Sequence, residues 1–461
     1  MRKVCIVIPD GTGIRNYLFS NLIKELFQLN AEVSILHSIS EKAIQEINTV
    51  HGTDFKTYKL PIYKEGFYQK YLRETICFAR LLSNNKEVNN ETILTNWKPN
   101  KGNLKTRFFY YMVELLGNFV SKKYNRILSL KKWYENSLKK EKKWKYKFLL
   151  EDINPDILFS THQRAMNAIP LMYQAKQLGI KTVGAIFSWD NLPKARLSVS
   201  TDNYIVWSEY MRKELNLYYP EIKNEKIRVT GTPQFEFYNN QEYIIEKETF
   251  FKRFNLDLTK KTFCFSGDDE KTSPFDPNYL EDIASVIDKK NLNIQIVLRR
   301  APVDVSGRFE NVISKYSSII KEIRPLWNYD KNDKKNWQII YPTYNDVKLL
   351  INTVKYCDAV INVGSTMAHD FAMFGKPAIY INYNAVKPSF WDIGTIYKYQ
   401  HFRSMVDLKP VFWLNSKREI SKLLKTIFDI EMVDNKKWLD IIAEHKKEAS
   451  FNIAKMLVEC I

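Results

Sequence analysis

Apolar positions along this chain come in two alternating forms. Short unbroken runs predict buried strands, and longer stretches with apolar residues every three or four positions predict amphipathic helices. The first elements are the run KVCIVI, the turn PDGTG, the helical IRNYLFSNLIKELFQLN and the run AEVSILH, a β-α-β start. After the short strand-like FKTYKLPIY, residues from about 66 to 150 carry several amphipathic segments and no convincing strand, which predicts a helical insertion on the first sheet. The alternation returns in PDILFST, AMNAIPLMYQAKQLG, KTVGAIFS, NYIVWS, EYMRKELNLYY and IRVTG.

A polar stretch near residue 240 precedes a second series: TFCFSG, YLEDIASVIDKK, IQIVLR, WQIIYP, NDVKLLINTVKYC, DAVINVG, STMAHDFAMFG and PAIYIN, with helices after Ser416. This rhythm predicts an α/β chain of two doubly wound, Rossmann-like domains facing a cleft, 1–240 and 241–461, the terminal helices counted with the second although in this architecture a terminal helix often packs back across the first. The length of 461 residues suits two cores better than one.

Hydrophobic residues at 45% and charged residues at 26%, with only 14 glycines and 16 prolines, exclude a disordered or fibrous chain. The first apolar run is too short for a leader or a membrane span. Cys5, Cys77, Cys264, Cys357 and Cys460 are scattered without a CxxC pair, which fits a reducing cytoplasm. With no Asp-x-Asp, HExxH or Walker A motif, neither a metal nor a P-loop is expected.

The formal net charge of +18 predicts an acidic partner. Much of it lies between Lys98 and Lys147, where fifteen Lys or Arg stand against three acids, interleaved with aromatic residues. Such a segment suits an anionic membrane surface, which would make the protein peripheral on the inner face; nucleic acid is the less favoured partner.

Ligands of doubly wound sheets bind beyond the carboxyl ends of the strands, so the residues that follow each strand carry the candidate chemistry. Asp10, with Gly11, Thr12 and Gly13, follows the first strand: Asp10 is a candidate base, and the glycines would let backbone approach an acceptor. His162 and Arg164 follow PDILFST, one as a base near neutral pH and the other as an anion holder. Trp189 and Asp190 follow KTVGAIFS, a platform for a sugar face beside a carboxylate that is a third catalytic candidate after Asp10 and His162. Arg299 and Arg300 end IQIVLR and suit a phosphate. Gly364, Ser365 and Thr366 open a helix whose free amides suit a diphosphate, with Asp370 placed for ribose hydroxyls. Weaker donor-side candidates are Ser266-Gly267-Asp268 and His401. Caps, turns and core packing account for the same residue types without any ligand.

Gly364-Ser365-Thr366 with Asp370 and Gly375-Lys376-Pro377, together with Ser188-Trp189-Asp190-Asn191 and Gly231-Thr232-Pro233-Gln234-Phe235, resemble bacterial surface-polysaccharide transferases of the GT-B type and the neighbouring CDP-glycerol glycerophosphotransferase-like proteins. The resemblance covers roughly residues 150 to 405; the insertion has no counterpart. It implies metal-independent transfer from a nucleotide-activated donor, held mainly by the second domain, to a glycan or lipid-linked acceptor held by the first. Gly364, Ser365, Thr366 and Asp370 match the donor-side pattern, and Asp10 takes the position of an acceptor-facing loop residue. A polyol-phosphate transferase using a CDP-linked donor is the alternative chemistry on the same fold, and a basic nucleic-acid-binding protein the alternative of another class.

Overall fold

The opening apolar run forms β1 (Arg2–Ile8), in which every side chain from Val4 to Ile8 is buried. The computed structural model describes residues 1–139, 143–329, 340–387, 390–430 and 434–459. Six further strands join β1: β2 (Ala31–His37), β3 (Lys56–Lys59), β4 (Ile157–Ser160), β5 (Lys181–Ala185), β6 (Asn203–Val206) and β7 (Ile227–Val229). Their order is β3-β2-β1-β4-β5-β6-β7, and every neighbouring pair is parallel. Helices on both faces bury the interior strands, which is why Val4–Ile8 of β1 and Ile157–Phe159 of β4 are unbroken apolar runs rather than alternating. The edge strand β3 carries exposed lysines at both ends, a device that discourages further pairing.

The second sheet contains β8 (Lys261–Gly267), β9 (Ile294–Arg300), β10 (Ile320–Glu322), β13 (Ala359–Asn362), β14 (Ala378–Ile381) and β15 (Phe412–Leu414), in the parallel order β10-β9-β8-β13-β14-β15. A two-stranded antiparallel ribbon joins β11 (Trp327–Asn328) to β12 (Tyr341–Pro342). The expected strand WQIIYP is therefore corrected: residues 337–339 lie outside the described residues, its described end is in this ribbon, and β10 is the parallel neighbour of β9. Residues 140–142 of the basic stretch and Cys460 also lie outside the described residues.

Strand order reverses between β1 and β4 in the first sheet and between β8 and β13 in the second. Connections leave in opposite directions at these two points, opening a crevice at the carboxyl ends.

The chain divides into two compact units, one of Met1–Pro233, Tyr399–Arg403 and Ile442–Ile461, the other of Gln234–Lys398 and Ser404–Ile441. The described residues from Ile442 onward lie in the first unit and not in a second domain of 241–461, as a terminal helix packing back across the first domain would place them. The helix Ala449–Glu459 buries Ile453, Ala454 and Leu457 and packs on the helix Leu22–Gln28 and on β1 of the first unit.

The described residues of the insertion form four α-helices, Phe67–Val88, Leu104–Ser121, Tyr124–Leu138 and Lys143–Ile153. Leu72, Val120, Ile127, Leu130 and Leu150 share one apolar core with Cys5, Val7 and Leu158 of the sheet, so the insertion is fastened to it. No described helix is long and apolar enough to cross a membrane.

Candidate functional site

In the first unit, the two strands flanking the order reversal place Asp10 and His162 side by side. Asp10, in extended conformation after β1, accepts from the Thr12 amide through Oδ1 at 3.0 Å. Its Oδ2 accepts from Nδ1 of His162, the second residue after β4, at 2.7 Å. Both side chains are buried, 6% and 7% exposed. Burial opposes ionisation of Asp10, yet His162 and Thr12 prevail and hold its carboxyl below the usual carboxylate range. With Nδ1–H given to Asp10, the Nε2 lone pair is left to accept a proton, the arrangement of an oriented general base. This alters the expectation of two separate bases: Asp10 orients, and His162 is the group that can exchange a proton.

The glycines of the same loop have another purpose than approach to a ligand. Gly11 and Gly13 are buried, and a Cβ on Gly13 would stand 2.4 Å from Thr161 Oγ1, which donates to the Val7 carbonyl at 3.0 Å. Gly13 thus lets the loops after β1 and β4 close on each other, while Thr12 is half-buried. Gly13→Ala is expected to destabilise the protein by about 1–3 kcal/mol in urea denaturation, because both Thr161 Oγ1 and its Cβ would have to move.

Gln163 binds the loops together, accepting from Phe187 N at 2.9 Å and donating to Asn191 Oδ1 at 3.0 Å. Arg164 is half-buried and makes no hydrogen bond or ion pair among the described residues. Burial lowers its pKa, Asp190 opposes that shift, Arg196 adds to it, and Asp10 and Cys77 act more weakly to raise it. An anion beside this guanidinium would be doubly favoured.

Asp190 and Trp189 depart from their expected roles. The Asp190 carboxylate accepts from Ser188 Oγ at 2.7 Å, Asn191 Nδ2 at 2.8 Å and Lys194 Nζ at 2.5 Å. Burial disfavours its charge, but Lys194, His401 and Ser188 hold its pKa far below the ordinary value. A carboxylate so fully engaged is an anchor for its loop and a poor base. Trp189 is 2% exposed and stands edge-on to His401 at 4.7 Å and to Phe402 at 6.1 Å, so its faces are packed and offer no platform to a sugar. His401 was expected on the donor side; the segment Tyr399–Arg403 instead belongs to the first unit, and burial pushes the His401 pKa down to about 4.

Glu214, on the helix Glu209–Tyr218, carried no signal in the sequence beyond its helical position. Both of its carboxyl oxygens are buried without a hydrogen-bond partner among the described residues. Burial, reinforced by Asp190, lifts its pKa to about 8 from an ordinary 4.5. The folded form therefore keeps a proton that the unfolded chain has released, so the contribution of Glu214 to stability is fully present below pH 4.5 and is lost as pH rises to about 8. Glu214→Gln should remove that decline and raise stability at pH 8 by about 2 kcal/mol, measured by urea denaturation at pH 5 and pH 8.

In the second unit, β13 ends in a turn where Gly364 has φ +66, a left-handed conformation that favours glycine. Asn362 Oδ1 accepts from Ser365 N at 2.9 Å, and Tyr380 donates to the Ser365 carbonyl at 3.2 Å. Thr366 is exposed at the start of the helix Met367–Ala372. Asp370 is 4% exposed and accepts from the Tyr238 hydroxyl at 2.9 Å, so a ribose-binding role is not what its placement supports. Across the order reversal, Gly267 and Asp268 end and follow β8. Burial, with Asp269 and Asp276 adding to it, lifts the Asp268 pKa to about 7.

Arg299 and Arg300 are likewise corrected. Successive residues of a strand point to opposite faces, and each guanidinium meets its own acid there. Arg299 Nη2 reaches both oxygens of Asp346 at 2.9 Å, with the pair almost wholly buried. Arg300 pairs with Glu322 at 2.6 Å and donates to the Ser306 carbonyl at 2.7 Å. Among the described residues, no group of three or more His, Cys, Asp or Glu is placed to hold a metal ion.

No family model matches the sequence, and no curated protein matches it. Solved structures do match. The Staphylococcus aureus MnaA–UDP structure superposes with a TM-score of 0.54 at 11% identity, covering 100% of this chain and 98% of that one. UDP-GlcNAc 2-epimerase from Neisseria meningitidis, bound to UDP-GlcNAc, gives 0.52 at 12% identity with both chains fully covered. The Methanocaldococcus jannaschii UDP-GlcNAc 2-epimerase gives 0.53 at 12% identity, covering 99% of each. With the two parallel sheets described above, these likenesses establish the two-Rossmann-domain GT-B fold.

Proposed function

We propose that this chain is a glycosyltransferase that moves a sugar from a nucleotide-activated donor to a hydroxyl of a glycan or lipid-linked acceptor in surface polysaccharide biosynthesis, without a metal. The observation that carries this reading is the buried Asp10–His162 pair, 2.7 Å apart beside the order reversal of the first sheet. Solved structures of the same fold that hold UDP and UDP-GlcNAc support a nucleotide sugar as the ligand.

In the proposed reaction, His162 Nε2 takes the proton of the acceptor hydroxyl as its oxygen forms a bond to the anomeric carbon. The bond from that carbon to the donor phosphate breaks, and the nucleotide leaves with the electron pair. Asp10 keeps the imidazole oriented and balances its charge once it is protonated. Arg164 holds an anionic group of the acceptor or donor. The turn Gly364-Ser365-Thr366 and the loop from Gly267 to Asp268 hold the nucleotide, while Arg299, Arg300, Trp189, Asp190 and Asp370 support the loops around these groups.

The test is thermal denaturation of the full chain with UDP, GDP, CMP and CDP and their sugar or glycerol conjugates, in the presence of a chelator, followed by product analysis with the stabilising donor. The reading expects one nucleotide class to raise the melting temperature and donor consumption to depend on an added acceptor. A shift with nucleic acid alone would sink it. Conversion of the donor to an isomer without acceptor would assign an epimerase instead, and a product carrying glycerol phosphate would assign the polyol-phosphate transfer.

A further inference from the structure

The insertion helix Leu104–Ser121 has two apolar faces and only one of them is covered. Tyr110, Val113, Gly117 and Val120 are buried, and Gly117 comes so near the helix Phe67–Val88 that a Cβ would lie 2.6 Å from the Phe78 ring. At roughly 100° per residue, these four occupy one side of the helix. Leu104, Phe108, Tyr111, Met112, Leu115 and Phe119 fall within a sector of about 100° on the opposite side. All six are exposed, from 36% for Met112 to 81% for Leu104. The stripe runs for roughly 22 Å along the helix. Single exposed apolar residues are ordinary on protein surfaces; a continuous stripe of six, three of them aromatic, is not.

The charges around the stripe identify its occupant. Lys105 and Arg107 are exposed near its first turn, and Lys122 and Lys123 just beyond its last. The Arg126 guanidinium lies 4.2 Å from the centre of the Phe119 ring, cationic head beside apolar body. Protein–protein interfaces are depleted in lysine relative to the rest of the surface, whereas this stripe is flanked by cations at both ends. A second copy of the chain would bring like charges together. A bilayer with anionic headgroups satisfies both parts, taking the apolar residues about 5–10 Å into the interface while lysines and arginines remain among the phosphates.

We propose that the exposed face of the helix Leu104–Ser121 is a docking surface for an anionic lipid bilayer, on which the helix lies parallel to the membrane plane. This inference does not depend on which group the protein transfers.

The experiment is co-sedimentation of the full chain with vesicles of phosphatidylcholine alone and of phosphatidylcholine mixed with phosphatidylglycerol, at low and high salt. The wild type should sediment with the mixed vesicles, and high salt should weaken this. Phe108→Ser with Leu115→Ser, both on the exposed face, should lower partitioning at least about tenfold and leave any nucleotide-induced thermal shift unchanged, which reports that the variant is folded. The proposal is overturned if the wild type stays in solution with mixed vesicles, or if the double variant sediments equally well. A lipid-free dimer converted to monomer by the same substitutions would also overturn it, since the stripe would then join two copies.

Discussion

His162→Ala is expected to reduce turnover by about 10²- to 10⁴-fold while leaving nucleotide-induced stabilisation intact. The loss follows from geometry: His162 is the one group in the first unit's reversal point that has an oriented ring nitrogen with its other nitrogen already committed, to Asp10 at 2.7 Å. Asp10→Asn keeps the shape but gives up the charge that orients the ring and stabilises its protonated form, and a loss of up to about 10⁴-fold is expected. Asp190→Asn should act differently, lowering stability through the Lys194 and Ser188 contacts more than it lowers the rate. The measurement is initial rate under donor saturation, beside a melting curve for each variant. Equal rates for His162→Ala and wild type would remove His162 from the chemistry.

The largest effect on stability is expected at Arg299. Arg299→Ala would leave the Asp346 carboxylate buried with, among the described residues, only Leu326 N and Trp327 Nε1 as donors, at a cost of about 3–5 kcal/mol for an uncompensated charge. Because the two residues form one pair, Asp346→Ala combined with Arg299→Ala should cost clearly less than the sum of the single changes. Urea denaturation of the two single variants and the double variant reads this coupling. The contrary result, Arg299→Ala with unchanged stability and a lost nucleotide shift, would restore Arg299 to the donor phosphate.

These two residues also mark how far the sequence was legible. β1, β4, β8 and β13 are largely apolar runs ending in polar turns, so the centres of both doubly wound sheets could be read from pattern, whereas the short edge strands β10 and β15 could not. Asp10 and His162 could each be found because each follows a strand; that they share a proton depends on strand order, which places β4 beside β1 although 148 residues lie between Ile8 and Ile157 in the chain. Arg299 and Arg300 were misread for the same reason in reverse. Their partners Asp346 and Glu322 are distant in sequence, and nothing in the dipeptide reveals that its charge is already met. Trp189 and His401 pair through a return of the chain to the first unit that no local pattern announces. Glu214 looked like one more polar residue on a helix, and only burial shows it to be a neutral acid.

The return of the chain at Ile442 has a consequence for synthesis. Residues up to Pro233 emerge from the ribosome with every strand of the first sheet, but the helix that covers Leu22–Gln28 and β1 is Ala449–Glu459. The first unit is therefore completed only after the whole second unit has been translated. Until then the nascent chain displays an apolar strip on a sheet already formed, and truncation near residue 440 would make that transient exposure permanent.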